Sequence, residues 1–175
     1  MLSIIFLLIQ LGFVLYLLYY LITFLSAAPF VPTTRKAAEA MVTIADIKKG
    51  MKVYDLGSGD GRLLFLAASR GAKAVGYELN PILVAWTLVK KLFFRYRNQV
   101  TVIWKNLWDA DIHDADCVFV YLLPMSINKL QKKLLGELRP GTRVVSNSFI
   151  FQNWTITKQD TTNHIFVFTV PKRVK

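Results

Sequence analysis

The chain has 175 residues, with 22 Lys+Arg against 11 Asp+Glu for a net charge of +11, and a single cysteine, Cys117. Regular apolar runs exclude a disordered chain, and a lone cysteine excludes a disulfide scaffold. No charged residue precedes Arg35, so the 54% hydrophobic content is inflated by an apolar leader; the roughly 140 residues after it are enough for one core and too few for two.

Residues Leu2 to Leu25 are apolar except for Ser3, Gln10, Gly12 and Thr23. A helix of that length covers roughly 36 Å, enough to cross a hydrocarbon layer of about 30 Å. A core helix would carry a polar stripe at the helical period, and none is visible. A secretory signal would begin with a positive segment; here there is none, and Pro29 follows directly on Ser26 and Ala28, the residues that would suit cleavage. Residues 1–27 therefore read as a transmembrane anchor, contacting the lipid bilayer through residues 2–25. Arg35, Lys36, Lys48, Lys49 and Lys52 all follow the span. The positive-inside bias then predicts a single-pass membrane protein with a cytoplasmic domain.

Pro29 and Pro32 stiffen the exit from the span, and residues 28–49 form a linker with a short helix. Thr34 is a candidate N-cap for that helix, whose apolar positions Ala37, Met41, Ile44 and Ala45 follow helical spacing. Residues 50–175 alternate strands with helices. Strands are predicted at Lys52 to Leu56, Ala74 to Glu78, Val100 to Trp104, Cys117 to Leu122 and Arg143 to Ser148. Helices are predicted at Arg62 to Arg70, Pro81 to about Tyr96 (capped by Asn80) and Ser126 to Leu138. Trp154 to Lys158 and His164 to Val170 flank a turn-prone stretch and read as a hairpin. The alternation predicts an α/β fold: a Rossmann-like, doubly wound, mostly parallel sheet with an antiparallel edge hairpin, preceded by one N-terminal transmembrane helix.

The chemistry concentrates in Val53-Tyr54-Asp55-Leu56-Gly57-Ser58-Gly59-Asp60-Gly61-Arg62. An acid ends a strand, and Gly57, Ser58, Gly59 and Gly61 form the loop that opens the next helix. Glycine lets the backbone turn sharply and approach a ligand without Cβ contact, and amides at a helix start favour an anionic group. A dinucleotide loop reads G-x-G-x-x-G and would place its third glycine at position 62, which is Arg62. The G-x-G-x-G spacing favours S-adenosylmethionine, whose charged parts are an amino acid group and a sulfonium. Glu78 ends the second strand, where a ribose-binding carboxylate sits in such folds. Leu79 and Ile82 are candidate apolar walls for the adenine, with Asn106 and the Leu107 backbone as readers of its edge. Tyr121-Leu122-Leu123-Pro124 ends the fourth strand at the carboxyl edge, where open α/β sheets bind ligands.

Several stretches together resemble the seven-strand S-adenosylmethionine methyltransferases. They are more narrowly similar to the membrane-anchored protein-lysine methyltransferases of the ATP synthase c-subunit and adenine nucleotide translocase, with their prokaryotic relatives. They are Pro29-Phe30-Val31-Pro32-Thr33, the Tyr54–Arg62 stretch, Val75-Gly76-Tyr77-Glu78-Leu79-Asn80-Pro81, Asn106-Leu107-Trp108, Tyr121-Leu122-Leu123-Pro124, Leu138 to Ser146, and Trp154. Asn106 stands where many relatives carry Asp, and the chain end is too short for a full helix before the last strand. The resemblance implies that Asp55, Gly57, Gly59, Glu78 and Asn106-Leu107 hold the cofactor, and that Phe30 to Thr33 close over the methyl-transfer site. Phe30 and Thr33 thus join Tyr121, which would orient an incoming amine, as candidate catalytic residues. The implied partner is a membrane protein offering a lysine.

Three other outcomes stay open on the sequence: a lipid or small-molecule acceptor, an RNA acceptor suggested by the net charge, and a non-catalytic membrane scaffold. Nucleic acid is the less favoured, since position 121 onward lacks an Asn/Asp-Pro-Pro-Tyr motif for exocyclic amines. His113 and His164 have no Cys or His at ligand spacing, so no metal site is expected. Cys117 reads as core packing. Asp109, Asp111, Asp114 and Asp116 read as a solvated loop. Lys90, Phe94 and Arg97 would share one side if the helix from Pro81 continued through Arg97, a basic-aromatic surface suited to lipid headgroups.

Overall fold

The computed structural model describes residues 2–25, 32–122 and 124–172. It contains two units, Met1–Val31 and Pro32–Lys175. The first holds α1, Leu2–Leu25, in which Leu2–Leu21 is long and apolar enough to cross a membrane, with mean hydropathy 2.4. A signal sequence meets the same test of length and composition.

The second unit begins with α2, Arg35–Ile44, where Thr34 Oγ1 accepts the Ala37 amide at 3.2 Å as its N-cap. Helical spacing then buries Ala37, Ala38, Met41 and Val42 together. The parallel strands are β1 (Lys52–Leu56), β2 (Lys73–Glu78), β3 (Val100–Trp104), β4 (Cys117–Val120) and β5 (Arg143–Asn147), and the hairpin is β6 (Ile156–Asp160) and β7 (Ile165–Thr169). Seven strands form one sheet in the order β3-β2-β1-β4-β5-β7-β6, with β7 antiparallel to both neighbours. This is the mostly parallel sheet with an antiparallel hairpin that the strand–helix alternation predicts. The hairpin places β6 on the outside and β7 inside against β5.

The helices are α3 (Arg62–Ser69), α4 (Pro81–Leu92) and α5 (Ile127–Glu137). On one face, α2 and α3 pack over a core that includes Val53, Ala74, Phe119 and Val145. Cys117 is fully buried in that core, which pushes its thiol up to about 12 and suits it to packing. On the other face Tyr54 and Tyr77 stack at 6.1 Å, and the Tyr77 hydroxyl donates to the Asp111 carbonyl. There the buried Lys133 ties α5 to the loop after β3, donating to the Trp108 and Ala110 carbonyls at 3.1 and 2.7 Å.

Several boundaries differ from the sequence pattern. The helix predicted to reach Tyr96 stops at Leu92, because Phe94 turns inward against Phe65 of α3 (4.9 Å) and Tyr96 (5.8 Å). The surface expected from Lys90, Phe94 and Arg97 is therefore not formed. β4 ends at Val120, two residues early, and α5 starts after a 3-10 turn, Pro124–Ser126. β5 stops before Ser148, which takes a positive φ of 69°.

Candidate functional site

β1 delivers its chain to the glycine loop, and that loop is pinned to β2. The amides of Gly57 and Ser58 both donate to the Tyr77 carbonyl, at 2.9 and 3.0 Å. Gly57 has φ 86°, and a Cβ built there would meet nothing within 4 Å: its α-carbon borders open space. Gly61, with φ 77°, is the N-cap of α3 and is needed for a different reason. A Cβ there would lie 2.6 Å from the Thr87 Cγ2 of α4, so this glycine lets loop and helix touch. Ser58 is turned toward the sheet: its Oγ is buried without a partner among the described residues, 2.5 Å from where a Cβ on Gly76 would stand.

Two acids flank the loop. Glu78, at the end of β2, is 8% exposed, and it accepts the Gly59 amide on Oε2 and the Asn80 amide on Oε1, each at 2.8 Å. Each carboxylate oxygen has a second lone pair, so the group can still accept a hydroxyl. Asp55 is 5% exposed, and none of the described residues donates a hydrogen bond to its carboxylate. Burial, and then the negative charges of Glu78 and Asp60, push its pKa up to about 8. A buried acid in that state calls for a cation, and an ammonium group placed beside it would restore its charge.

The carboxyl ends of β1 and β4 lie side by side, with Leu56 paired to Val120. The strand order places β2 and β3 on one side of β1 and β4 and β5 on the other, which makes this the switch point where such folds bind ligands. Gly57 and Tyr121 leave adjacent strands there. Tyr121 is half-buried and stacks on Phe149, with centroids 6.1 Å apart. On the other side of Glu78, the Trp104 indole donates to the Leu79 carbonyl at 2.9 Å. Asn106 Oδ1 accepts the Trp108 amide at 3.1 Å and caps the turn Leu107–Asp109, while Leu107 is buried. Ile82, in the first turn of α4, is 57% exposed.

Thr33 is buried, and its carbonyl accepts the guanidinium of Arg62, so the segment after the leader is tied to the start of α3. Phe30 lies outside the described residues. Asp109, Asp111 and Asp116 are exposed, as a solvated loop requires, whereas Asp114 binds Lys52 and the Tyr54 hydroxyl.

Sequence reasoning gave Asp60, Arg62, Thr87 and Lys90 no part in holding the glycine loop. Burial alone would raise the Asp60 pKa, yet Arg62 and Lys90 hold it below the ordinary value. Thr87 Oγ1 donates to the Gly59 carbonyl at 3.3 Å. The Asp60-x-Arg62 spacing was a visible cue for a local ion pair; Thr87 and Lys90 are far from the loop in sequence, and no local pattern marks them. A cavity of about 380 Å³ opens among Arg35, Ala38, Asp60, Arg62, Phe65, Leu66 and Lys90, and neither Asp55 nor Glu78 lines it.

Comparison with known proteins agrees with this arrangement. A protein-lysine N-methyltransferase from Saccharolobus islandicus is 37% identical over 128 residues, covering 72% of this chain and 80% of that protein. The ATP synthase c-subunit lysine N-methyltransferase of Mus musculus is 37% identical over 127 residues, covering 73% of this chain; the chain spans about half that relative's length, 51%. Among solved structures, an RNA methyltransferase from Salinibacter ruber in complex with S-adenosyl-L-homocysteine superposes with a TM-score of 0.77 at 34% identity, covering 83% of this chain and 97% of that one. The model of the ANTKMT methyltransferase domain matches residues 55–158, from the buried acid of β1 to the middle of β6, and the chain belongs to that family.

Proposed function

We propose that this protein transfers a methyl group from S-adenosylmethionine to the side-chain amine of a lysine in a membrane protein, held at the bilayer by α1 with its domain on the cytoplasmic side. The observation that carries the cofactor assignment is the pair of buried carboxylates around the open face of Gly57. Glu78 suits the two ribose hydroxyls, and Asp55 suits the amino group of the methionine part. Gly57, Gly59 and Gly61 shape the loop beneath it, and Leu79, Asn106 and Leu107 border the adenine. Ser58 supports the loop from behind. Both lysine methyltransferase relatives support the acceptor, and the uncharged α1 followed by basic residues supports the anchor.

When bound, S-adenosylmethionine supplies an electrophilic methyl on a sulfonium. The residues around it position the acceptor and keep water out. A lysine must be neutral to attack, and its ordinary pKa of about 10.4 leaves little free amine at pH 7. Burial at the mouth of the site and a neighbouring positive charge both lower that value, so no strong base is required. Tyr121, at the end of β4, orients the amine, and alignment of amine, methyl and sulfur lowers the barrier. Thr33, its carbonyl held by Arg62, borders the site.

A transfer assay with labelled S-adenosylmethionine on host membranes tests this reading. Label on lysine of a membrane protein, absent with the Glu78→Ala variant, supports it; label confined to lipid overturns the lysine acceptor. A second reading, transfer to RNA, is favoured by the Salinibacter ruber structure's name and the net charge of +11, and label in RNA alone would establish it instead.

A further inference from the structure

The outer face of α4 is apolar and bare. Ile82, Trp86, Val89 and Phe93 are 57%, 55%, 48% and 87% exposed. At helical spacing they fall on one stripe, opposite the buried Val84 and Thr87. Leu92 extends the stripe and is 65% exposed. α4 packs over β2 and β3, and β3 is the edge strand, so this face bounds one side of the domain. Single exposed apolar residues are ordinary, but a contiguous patch of large ones marks an interaction surface.

Charge selects the partner. Between Leu79 and Trp108 there is no Asp or Glu, whereas Lys90, Lys91, Arg95, Arg97 and Lys105 all lie in that stretch. Lys90 is committed to Asp60, but Arg95 and Arg97 are exposed just beyond the end of the helix. A second copy packed through this face would bring the same cations together. A bilayer containing anionic lipids satisfies both the apolar stripe and the basic end.

We propose that this face of α4 docks on a membrane surface containing anionic phospholipid. Trp86 and Phe93 enter the boundary between headgroups and acyl chains, and Arg95 and Arg97 meet the phosphates. The start of α4 adjoins Glu78, so docking holds the carboxyl edge of the sheet close to the lipid surface. The contact is separate from α1 and does not depend on the acceptor being lysine.

All four tryptophans lie outside α1, so tryptophan emission reports on the domain even with α1 inserted. The full chain is reconstituted in phosphatidylcholine bilayers with roughly one-third phosphatidylglycerol, the lipids brominated near the carbonyl end of their chains. The Trp86 contribution, taken as the difference between wild type and Trp86→Phe, is expected to be quenched by about half. Quenching should fall in phosphatidylcholine alone and vanish in the Val89→Glu/Phe93→Glu variant. That variant changes only exposed side chains, and a wild-type-like thermal melt establishes that it folds; should it fail to fold, Val89→Ser/Phe93→Ser takes its place. An unquenched Trp86, or quenching untouched by the substitutions, overturns the proposal. So does self-association through this face, read as a disulfide cross-link between chains carrying Val89→Cys.

Discussion

Glu78 Oε2 accepts the Gly59 amide at 2.8 Å, which locks the tip of the glycine loop to the end of β2. One carboxylate thus shapes the loop, and in the proposed function it also takes the ribose hydroxyls. Replacing it by Ala removes both functions, and charge-assisted hydrogen bonds of about 1.5–3 kcal/mol each are lost. We expect Glu78→Ala to weaken S-adenosylmethionine binding by about 10-fold or more in titration calorimetry. Glu78→Gln, which keeps one carbonyl acceptor, should lie between the two. Binding equal to wild type in both variants would remove Glu78 from the site.

The buried Asp55 makes the protein sensitive to pH in a definite direction. Its folded pKa, pushed up to about 8, lies above the ordinary 3.8. Between those values the folded chain keeps a proton that the unfolded chain has lost, so this group erodes stability as pH rises through the window. Asp55→Asn should flatten the fall of Tm from about pH 5 to about pH 8, the upper part of that window. In the wild type, a cationic amino group arriving beside Asp55 should release a proton. Calorimetry at pH 7 in buffers of different ionisation enthalpy would then give different apparent heats, and identical heats would argue against the pairing.

Gly57 and Gly61 share a positive φ but differ in what a side chain would strike. Gly61→Ala places a methyl 2.6 Å from Thr87 Cγ2 in addition to the strained backbone. We expect it to cost about 2–4 kcal/mol in denaturant unfolding, with part recovered in the Gly61→Ala/Thr87→Ser double variant. Gly57→Ala meets open space and should cost only about 1 kcal/mol of stability, while its methyl enters the ligand's volume and weakens cofactor binding. Equal stability losses at the two positions would contradict the geometry.

The acid–glycine loop–acid arrangement was legible because each part is local. Asp55 sits one residue before the end of the first strand, glycines follow it within six residues, and a second strand ends at Glu78. The Thr34 cap of α2 and the Asn80-Pro81 start of α4 were legible for the same reason, since capping is decided by a few neighbouring residues. The end of α4 was not. The run through Phe93, Phe94 and Tyr96 looks helical until Phe65, 29 positions before Phe94 in the numbering, draws the ring inward.

By itself the sequence determined the strand–helix alternation, the place of the glycine loop and its two acids, and an apolar leader ahead of a basic domain. Periodicity, capping and composition act over a few residues, so they can be read without knowing what packs where. Only the tertiary structure decided that Gly57 borders open space while Gly61 abuts Thr87, and that Glu78 clamps the loop. It also decided that Asp55 is buried without a donor and that the α4 stripe is left uncovered. Those properties depend on which distant segments are brought within a few ångströms of one another, and hydrogen bonding, burial and charge coupling act only at that range.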